Sequence, residues 1–391
     1  MLSPSGLVCR TVARIDGAPK AVNRLRAFTA QMLCRGTTAA MLPPMSKRNL
    51  SRRQQWRIDK IQEERLTRAT KRAAREGSTE ASDLGDEQPG LVVAHFGQQV
   101  LVSGETGQRW RCHFRATLEQ LVVGDQVVFQ PPLAENTEVT ATGVVSAIVP
   151  RHTVLRRPDQ YGNLKPVAAN VDLMLVVFAP QPTPSSVLLD RYLVAAELSG
   201  IQPLLVLNKA DLISAEERPA MDALCSLYQR IGYTVLEVSA VDGDGMQPLY
   251  QALAGHTSVL VGQSGVGKSS LVNTLLPDAA LEVSELSTRS GLGQHTTVTA
   301  RLFDLPGGGR LIDSPGVREF GLWHISEAEL LHGYCDLAPL AGHCKFRNCS
   351  HRHEPGCALR QAAEKGEISD ERLENFYRIA DTLDEEGRER Y

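Results

Sequence analysis

The chain has no apolar run near the roughly 18 residues that a bilayer-crossing helix requires; its longest, 173–179, has the length of a buried strand. The first residues also lack the apolar core of a secretory leader. Membrane-spanning and exported classes are set aside on these grounds, and a cytoplasmic location without membrane partners is expected. An excess of one charge is missing too. Lys and Arg number 42 against 45 Asp and Glu, a net of -3, so overall charge names no partner. Eight cysteines remain to be explained, and without an oxidising compartment they favour a metal site over disulfides.

The near-neutral average hides segments of opposite sign. Residues 45–75 hold 11 bases against three acids, and the next fifteen hold five acids and no base. The last 28 residues return ten acids against five bases. This pattern predicts a basic arm for a polyanion, an acidic linker behind it and an acidic tail at the far end. Residues 1–44 show no sustained periodicity and carry six bases with one acid, Asp16. They read either as an Arg-rich transit segment or as an extension ahead of a natural start at Met45, and are expected to be disordered.

At 391 residues the chain has room for two or three domains. Strand-like segments at 91–95, 99–102, 108–116, 126–130 and 143–149, parted by Gly-containing turns, predict a small barrel of the OB type over 90–150. In its third strand Trp110, Cys112, Phe114 and Ala116 share one face, and Arg109, Arg111, His113 and Arg115 the other. That cationic face suits an RNA backbone, and equally an ordinary solvated surface. A Pro-containing linker follows at 151–170. Beyond it apolar strands (171–179, 203–207, 235–238, 258–261) alternate with helical stretches (188–198, 221–231, 246–253), the pattern of a mostly parallel α/β sheet. The expected parsing is an extension over 1–44, arm and linker over 45–89, barrel over 90–150, α/β domain over 151–322 and a mainly α C-terminal domain over 323–391.

The sharpest motif is Gly262-Gln263-Ser264-Gly265-Val266-Gly267-Lys268-Ser269, between an apolar strand and a helical stretch that begins with Ser270. Its glycines free backbone N–H groups to wrap phosphates, and a helix N-terminus adds a favourable dipole. Lys268 is the candidate for the β- and γ-phosphates and Ser269 for Mg²⁺. This loop alone does not tell ATP from GTP. Asn208-Lys209-Ala210-Asp211 does, because the Asp211 carboxylate can accept from both N1–H and the 2-amino group of guanine. Ser239-Ala240 matches the loop that supports guanine O6.

Asp313-Ser314-Pro315-Gly316 fits D-x-x-G: Asp313 would reach Mg²⁺ through water, and the Gly316 N–H would sense the γ-phosphate. Between it and the phosphate loop lies Gly291-Leu292-Gly293-Gln294-His295-Thr296-Thr297, a switch candidate. Thr297, with Thr296 as the alternative, is the expected second hydroxyl on Mg²⁺ and γ-phosphate. The order is unusual, for the guanine motifs precede the phosphate loop. A circular permutation explains it if the original termini were neighbours and the new opening falls in a loop.

After the D-x-x-G motif come Cys344, Cys349, His351 and Cys357, a C-x4-C-x-H-x5-C cluster able to close a tetrahedral structural zinc site. His343 and His353 are the substitute ligands. The remaining cysteines read as isolated thiols.

Taken together, the barrel, the permuted motifs, G-L-G-Q-H-T-T, D-S-P-G-V-R-E-F-G-L-W and the cysteine–histidine element resemble the family of ribosome small subunit-dependent GTPases A, also called RsgA or YjeQ, from residue 45 to about 378. The resemblance implies a GTPase that binds the 30S subunit and 16S rRNA late in maturation and turns GTP over to GDP slowly until the subunit stimulates it; a monomer is expected. Where many GTPases carry a Gln after D-x-x-G, this chain has Val317, which cannot orient water. His295 is the candidate catalytic group in its place, beside Lys268, Thr297 and Asp313; packing or RNA contact is its other reading. Two rivals stand at this point: a permuted GTPase of the large subunit, disfavoured by the barrel and the Cys/His element, and an RNA-binding protein with a non-hydrolysing nucleotide site, disfavoured by intact Lys268, Ser269, Asp211 and Asp313.

Overall fold

The computed structural model describes residues 84–388 apart from 115–117, 134–141, 160, 278–299, 315–321, 323 and 324. The 1–44 extension, the basic arm, and the segments carrying His295, Thr296, Thr297, Gly316 and Val317 therefore lie outside the described residues.

Five strands come first: β1 (Gln88–Phe96), β2 (Gln99–Gly104), β3 (Arg109–Phe114), β4 (Gln126–Gln130) and β5 (Gly143–Ile148). They follow one another in the order β1-β2-β3-β5-β4, and a further β1–β4 pairing closes the barrel. The β3–β5 pairing is parallel and the others antiparallel, as an OB-type barrel requires. Alternation drives it. Val100, Val102, Cys112, Val127, Phe129 and Val145 point inward and are buried in one cluster with Leu121.

Residues 151–170, expected as a linker, instead form a hairpin of β6 (Val154–Pro158) and β7 (Leu164–Ala169). Asp159 organises its turn by accepting from the N–H groups of Tyr161 and Asn163 at 2.9 Å. Pro158 and Pro166 obscured these strands in the sequence, since prolines fit a sheet only where no ladder donor is needed. The hairpin base grips the barrel: Asn170 Nδ2 donates to the Gly124 carbonyl at 2.8 Å. Beside it, buried Asp125 receives Arg151 Nε at 2.6 Å and the Val122 N–H at 2.8 Å.

The α/β part contains β8 (Leu173–Phe178), helix α1 (Ser186–Ser199), β9 (Gln202–Leu207), α2 (Arg218–Ile231), β10 (Val235–Glu237), α3 (Met246–Leu253), β11 (Thr257–Gly262), α4 (Lys268–Leu275), β12 (Arg301–Asp304) and β13 (Arg310–Asp313). Its sheet order is β10-β9-β8-β11-β13-β12, parallel except for β12. Strand β8 is apolar throughout because both faces are covered. Met174, Val176 and Phe178 enter the layer shared with α1, and Leu173, Leu175 and Val177 the layer shared with α3 and α4. One antiparallel pairing, Ala94 opposite Arg301, joins barrel and α/β strands into a single eleven-stranded sheet.

Three C-terminal helices follow: α5 (Glu327–Gly333), α6 (Ala358–Glu364) and α7 (Asp370–Arg388). Ser326 and Glu329 start α5 with reciprocal side-chain-to-backbone bonds. Leu330, Leu331, Leu373, Phe376 and Ile379 pack into the same apolar layer as α1. No helix among the described residues is long and apolar enough to cross a membrane.

Candidate nucleotide site and metal centre

The phosphate loop emerges from central strand β11 and ends in α4. Two glycines make the path possible. A Cβ on Gly262, at φ 145°, would lie 2.1 Å from the Val177 carbonyl oxygen; one on Gly267, at φ 90°, would lie 2.3 Å from Asn208 Nδ2. Val266 is buried and anchors the loop to the core, while Ser264, Gly265, Ser269 and Ser270 face solvent. Lys268 folds back over the loop and donates to the carbonyls of Gly262 and Gln263 at 2.7 and 2.8 Å. Its ammonium thus sits at the loop's own polar rim, where phosphate oxygens could replace those carbonyls.

Residues distant in sequence converge on this loop. Asn208, buried at the end of β9, donates through Nδ2 to the Val266 carbonyl at 2.9 Å and accepts through Oδ1 from the Ala240 N–H at 3.3 Å. Lys209, in the left-handed conformation at φ 61°, donates to the carbonyls of Gly265 (2.7 Å) and Gln181 (3.1 Å). Ala210 and Asp211 open a short 3-10 turn, with Asp211 exposed. Buried Ser239 donates to Asp211 Oδ1 at 2.7 Å and accepts from the Asp242 N–H at 3.1 Å. The exposed carboxylate edge of Asp211 is therefore fixed beside the Ser239-Ala240 loop, poised to accept paired donors from a planar base. Asp313 ends β13, the strand next to β11, and is half-buried. Ser269 and Asp313 offer the hard oxygens that suit Mg²⁺.

A second centre lies before α6. The ligand atoms of Cys344, Cys349, His351 and Cys357 fall within 4.8 Å of one another, and among the described residues no other cluster of three or more potential ligands is found. Cys344 Sγ lies 3.4 Å from His351 Nδ1 and 4.0 Å from Cys357 Sγ, and Cys357 Sγ lies 3.5 Å from His351 Nδ1. A tetrahedral zinc site has edges of roughly 3.5–3.8 Å, given bonds near 2.3 Å to sulfur and 2.0 Å to nitrogen. The donor set fits such an ion. His351 stands at φ 63°, its carbonyl held by the Tyr377 hydroxyl of α7. Burial lowers the imidazole pKa, favouring the neutral form that a metal needs, and pushes the Cys349 thiol up. Glu354 braces the loop by accepting from the Ser350 N–H and hydroxyl at 3.0 and 2.7 Å, and these bonds hold its carboxyl down to about 2. His343 and His353, the substitute ligands suggested by the sequence, stand outside the cluster.

On the barrel, the cationic face of β3 is already partly engaged. Arg109 lies 3.9 Å from Asp304, Arg111 stacks 5.5 Å from the Phe96 ring centroid, and exposed His113 bonds Gln99 at 3.1 Å. Arg115 lies outside the described residues.

Sequence reasoning does not reveal the groups that tie these parts together. Gln181 receives Lys209, and Thr274 of α4 donates to the Ala240 carbonyl at 3.1 Å. Asp190 and Arg372 are both fully buried and paired across 182 residues. Nothing local marks Asp190, since α1 also carries Arg191 and Glu197, or distinguishes Arg372 from the other charges of α7.

Known proteins share this arrangement. Residues 148–323 match the family model described as RsgA GTPase. The chain is 65% identical over 353 residues to the small ribosomal subunit biogenesis GTPase RsgA of Alcanivorax borkumensis, covering 89% of this chain and 99% of that one. It is 55% identical over 348 residues to the protein of that name from Pseudomonas syringae, covering 88% and 100%. Among solved structures, YjeQ from Thermotoga maritima superposes with a TM-score of 0.62 at 31% identity, over 76% of this chain and 98% of that one. YloQ, described as a circularly permuted GTPase, gives 0.61 at 30% identity, over 77% and 96%.

Proposed function

The chain belongs to the RsgA family of circularly permuted GTPases, and from that premise we propose that it binds the 30S ribosomal subunit and hydrolyses GTP during late maturation of that subunit. One observation carries the nucleotide part of this reading. Asn208 is bonded to both Val266 and Ala240, so guanine motif, phosphate loop and S-A loop form one hydrogen-bonded cluster although the permutation has changed their order.

The proposed roles follow from that cluster. Asp211 reads the guanine edge, with Asn208, Lys209, Ala210, Ser239 and Ala240 shaping its slot. The N–H groups of 262–270 cradle the phosphates. Lys268 exchanges two carbonyls for β- and γ-phosphate oxygens. Mg²⁺ is assigned to Ser269 and Thr297 directly and to Asp313 through water, and Gly316 to the γ-phosphate. It would supply charge neutralisation on the triphosphate. Because Val317 cannot orient water, His295 is proposed to do so in the subunit-bound protein. Cys344, Cys349, His351 and Cys357 hold one structural zinc. The barrel over 90–150, the C-terminal domain over 323–391 and the basic arm are proposed to contact 16S rRNA, with 151–322 as the GTPase unit of a cytoplasmic monomer.

The deciding measurement is GTP turnover alone, with isolated 30S subunits and with isolated 50S subunits. Stimulation by 30S alone is expected. Stimulation by 50S alone, or none by either, overturns the assignment. Asp211→Asn tests the base: an amide presents a donor where guanine needs an acceptor, so preference should move from GTP towards xanthosine triphosphate.

A further inference from the structure

The backbone at Ala240 is held twice, each time by a group tied to the phosphate loop. Asn208, which also grips the Val266 carbonyl, accepts from the Ala240 N–H at 3.3 Å. Thr274 of α4 donates through its hydroxyl to the Ala240 carbonyl at 3.1 Å, across 34 residues of sequence. This hydroxyl has a second acceptor within reach, the Ser270 carbonyl four residues earlier, at 3.0 Å. A hydroxyl has a single proton to give, so the two carbonyls compete for it. The Ser270 carbonyl lies inside α4, where the helix ladder already supplies an N–H. The carbonyl of half-buried Ala240 has no other donor among the described residues. Pairing the bare acceptor gains more than doubling the satisfied one, so the proton goes to Ala240.

Helix α4 is itself fixed at this end. The Thr274 carbonyl is among the last four of the helix, which have no partner within it. It accepts from the Tyr250 hydroxyl of α3 at 3.0 Å. At about 1.5 Å per residue α4 is a strut of roughly 12 Å, with Lys268 and Ser269 in its first turn and Thr274 in its last.

The peptide between Ala240 and Val241 is trans, and in a planar trans peptide the N–H points away from the carbonyl. With the Ala240 carbonyl held against α4, the Val241 N–H is turned away from that helix. It donates to nothing among the described residues, and Val241 itself is 83% exposed. The same loop is locked to the Asp211 carboxylate through Ser239. A fixed open donor thus accompanies a fixed acceptor, the pair that the O6 and N1–H edge of guanine requires.

We infer that Thr274 is a positioning residue for guanine recognition: by holding the Ala240 carbonyl it aims the Val241 N–H at O6 of the base. This rests on, and deepens, the reading that the Ser239-Ala240 loop meets guanine O6. Because Thr274 stands on the helix that begins with Lys268 and Ser269, base selection and phosphate binding share one rigid element.

The test pairs a change in the protein with a change at one atom of the base. Affinities of the full chain with Mg²⁺ are measured for GDP, 6-thioguanosine diphosphate and inosine diphosphate. The thio analogue replaces O6 by a weakly accepting sulfur, whereas inosine keeps O6 and lacks the 2-amino group. Thr274→Val removes the hydroxyl and keeps the branched shape. It is expected to weaken GDP and inosine diphosphate about fivefold, the worth of one ordinary hydrogen bond, and to leave the thio analogue within about twofold. Thr274→Ser retains the donor and should restore the wild-type preference for GDP over the thio analogue. Equal weakening of GDP and the thio analogue would give Thr274 a purely structural part in α4 and overturns the inference. Unchanged GDP affinity in Thr274→Val, or a Thr274→Ser protein that behaves like it, does the same. The underlying reading fails separately: if the wild-type protein binds GDP and the thio analogue equally, the loop does not meet O6, and the inference goes with it.

Discussion

The side-chain amide of Asn208 donates to the backbone carbonyl of Val266 at 2.9 Å, across 58 residues of sequence. A permuted chain must rebuild by tertiary contact what the ordinary order of motifs would also leave to tertiary contact. The changed order costs the site little because β9, β8 and β11, whose ends carry its loops, pair side by side in one parallel sheet. What changes is connection, since the chain now leaves the nucleotide site through β13 towards the C-terminal helices.

That hydrogen bond leaves no room at Gly267. A methyl group there would meet Asn208 Nδ2 at 2.3 Å while forcing φ 90° on an L side chain. Gly267→Ala should lower GTP affinity by roughly tenfold or more, since left-handed strain alone costs about 1 kcal/mol or more. The barrel and C-terminal helices should stay folded. Titration calorimetry checks the first and a thermal melt the second; wild-type affinity would show that the loop is not held as described.

Zinc removal should have a local effect. The cluster ties 344–357 together, whereas α5 and α7 hold to α1 through their own apolar side chains and through Arg372. Chelation is expected to release amide protection over 344–357 and leave guanine nucleotide affinity within about twofold, because the metal's binding energy is folding energy only where the ligands lie. Metal analysis should give one zinc per chain. Wild-type zinc affinity in His351→Ala would overturn the ligand assignment.

Much of this is legible in the sequence, for physical reasons. Strand β8 and the barrel strands declare themselves by apolar runs and alternation, and the phosphate loop by glycines that no other residue can replace. The hairpin over 154–169 is hidden because its strands contain two prolines and several charges. Its order depends on Asp159, Asn170 and the barrel it docks against. The Asp190–Arg372 pair is hidden for a different reason: partners 182 residues apart leave no spacing to read.

Breaking that pair from one side should be severe. Asp190→Ala strands one face of a fully buried guanidinium and removes the acceptor of Tyr228, Tyr334 and Asn375. The expected loss is roughly 3–5 kcal/mol in denaturant unfolding, the range for uncompensated buried charge. Asp190→Asn paired with Arg372→Met should recover most of it. Equal losses in the single and double proteins would mean the interface is apolar in origin.

The basic arm, outside the described residues, is testable by salt. Deleting 1–44 should leave subunit binding and turnover intact. Deleting to residue 75 removes 11 more bases and should flatten the dependence of log affinity on log salt by roughly 0.7–0.9 for each phosphate no longer neutralised. Sedimentation with 30S subunits at several salt concentrations reads the slope. An unchanged slope would take the arm out of the RNA interface.

The final prediction concerns reciprocity between nucleotide and subunit. Asp313 ends the strand beside the phosphate loop, and the chain passes from it into the helices that carry the metal centre. A γ-phosphate that draws this segment in should change how the C-terminal domain meets the subunit. If the GTP state binds 30S more tightly than the GDP state by some factor, 30S must tighten GTP relative to GDP by the same factor. Both affinities can be measured with a non-hydrolysable analogue, and closure of the cycle checks that each is read at equilibrium. His295→Ala should preserve both factors while lowering stimulated turnover about a hundredfold or more, as loss of a water-orienting group does. Its complex with 30S should then outlive the wild-type complex in the presence of GTP. Full stimulated turnover in that variant would move the water-orienting role away from His295, and equal 30S affinity in the two nucleotide states would remove the switch.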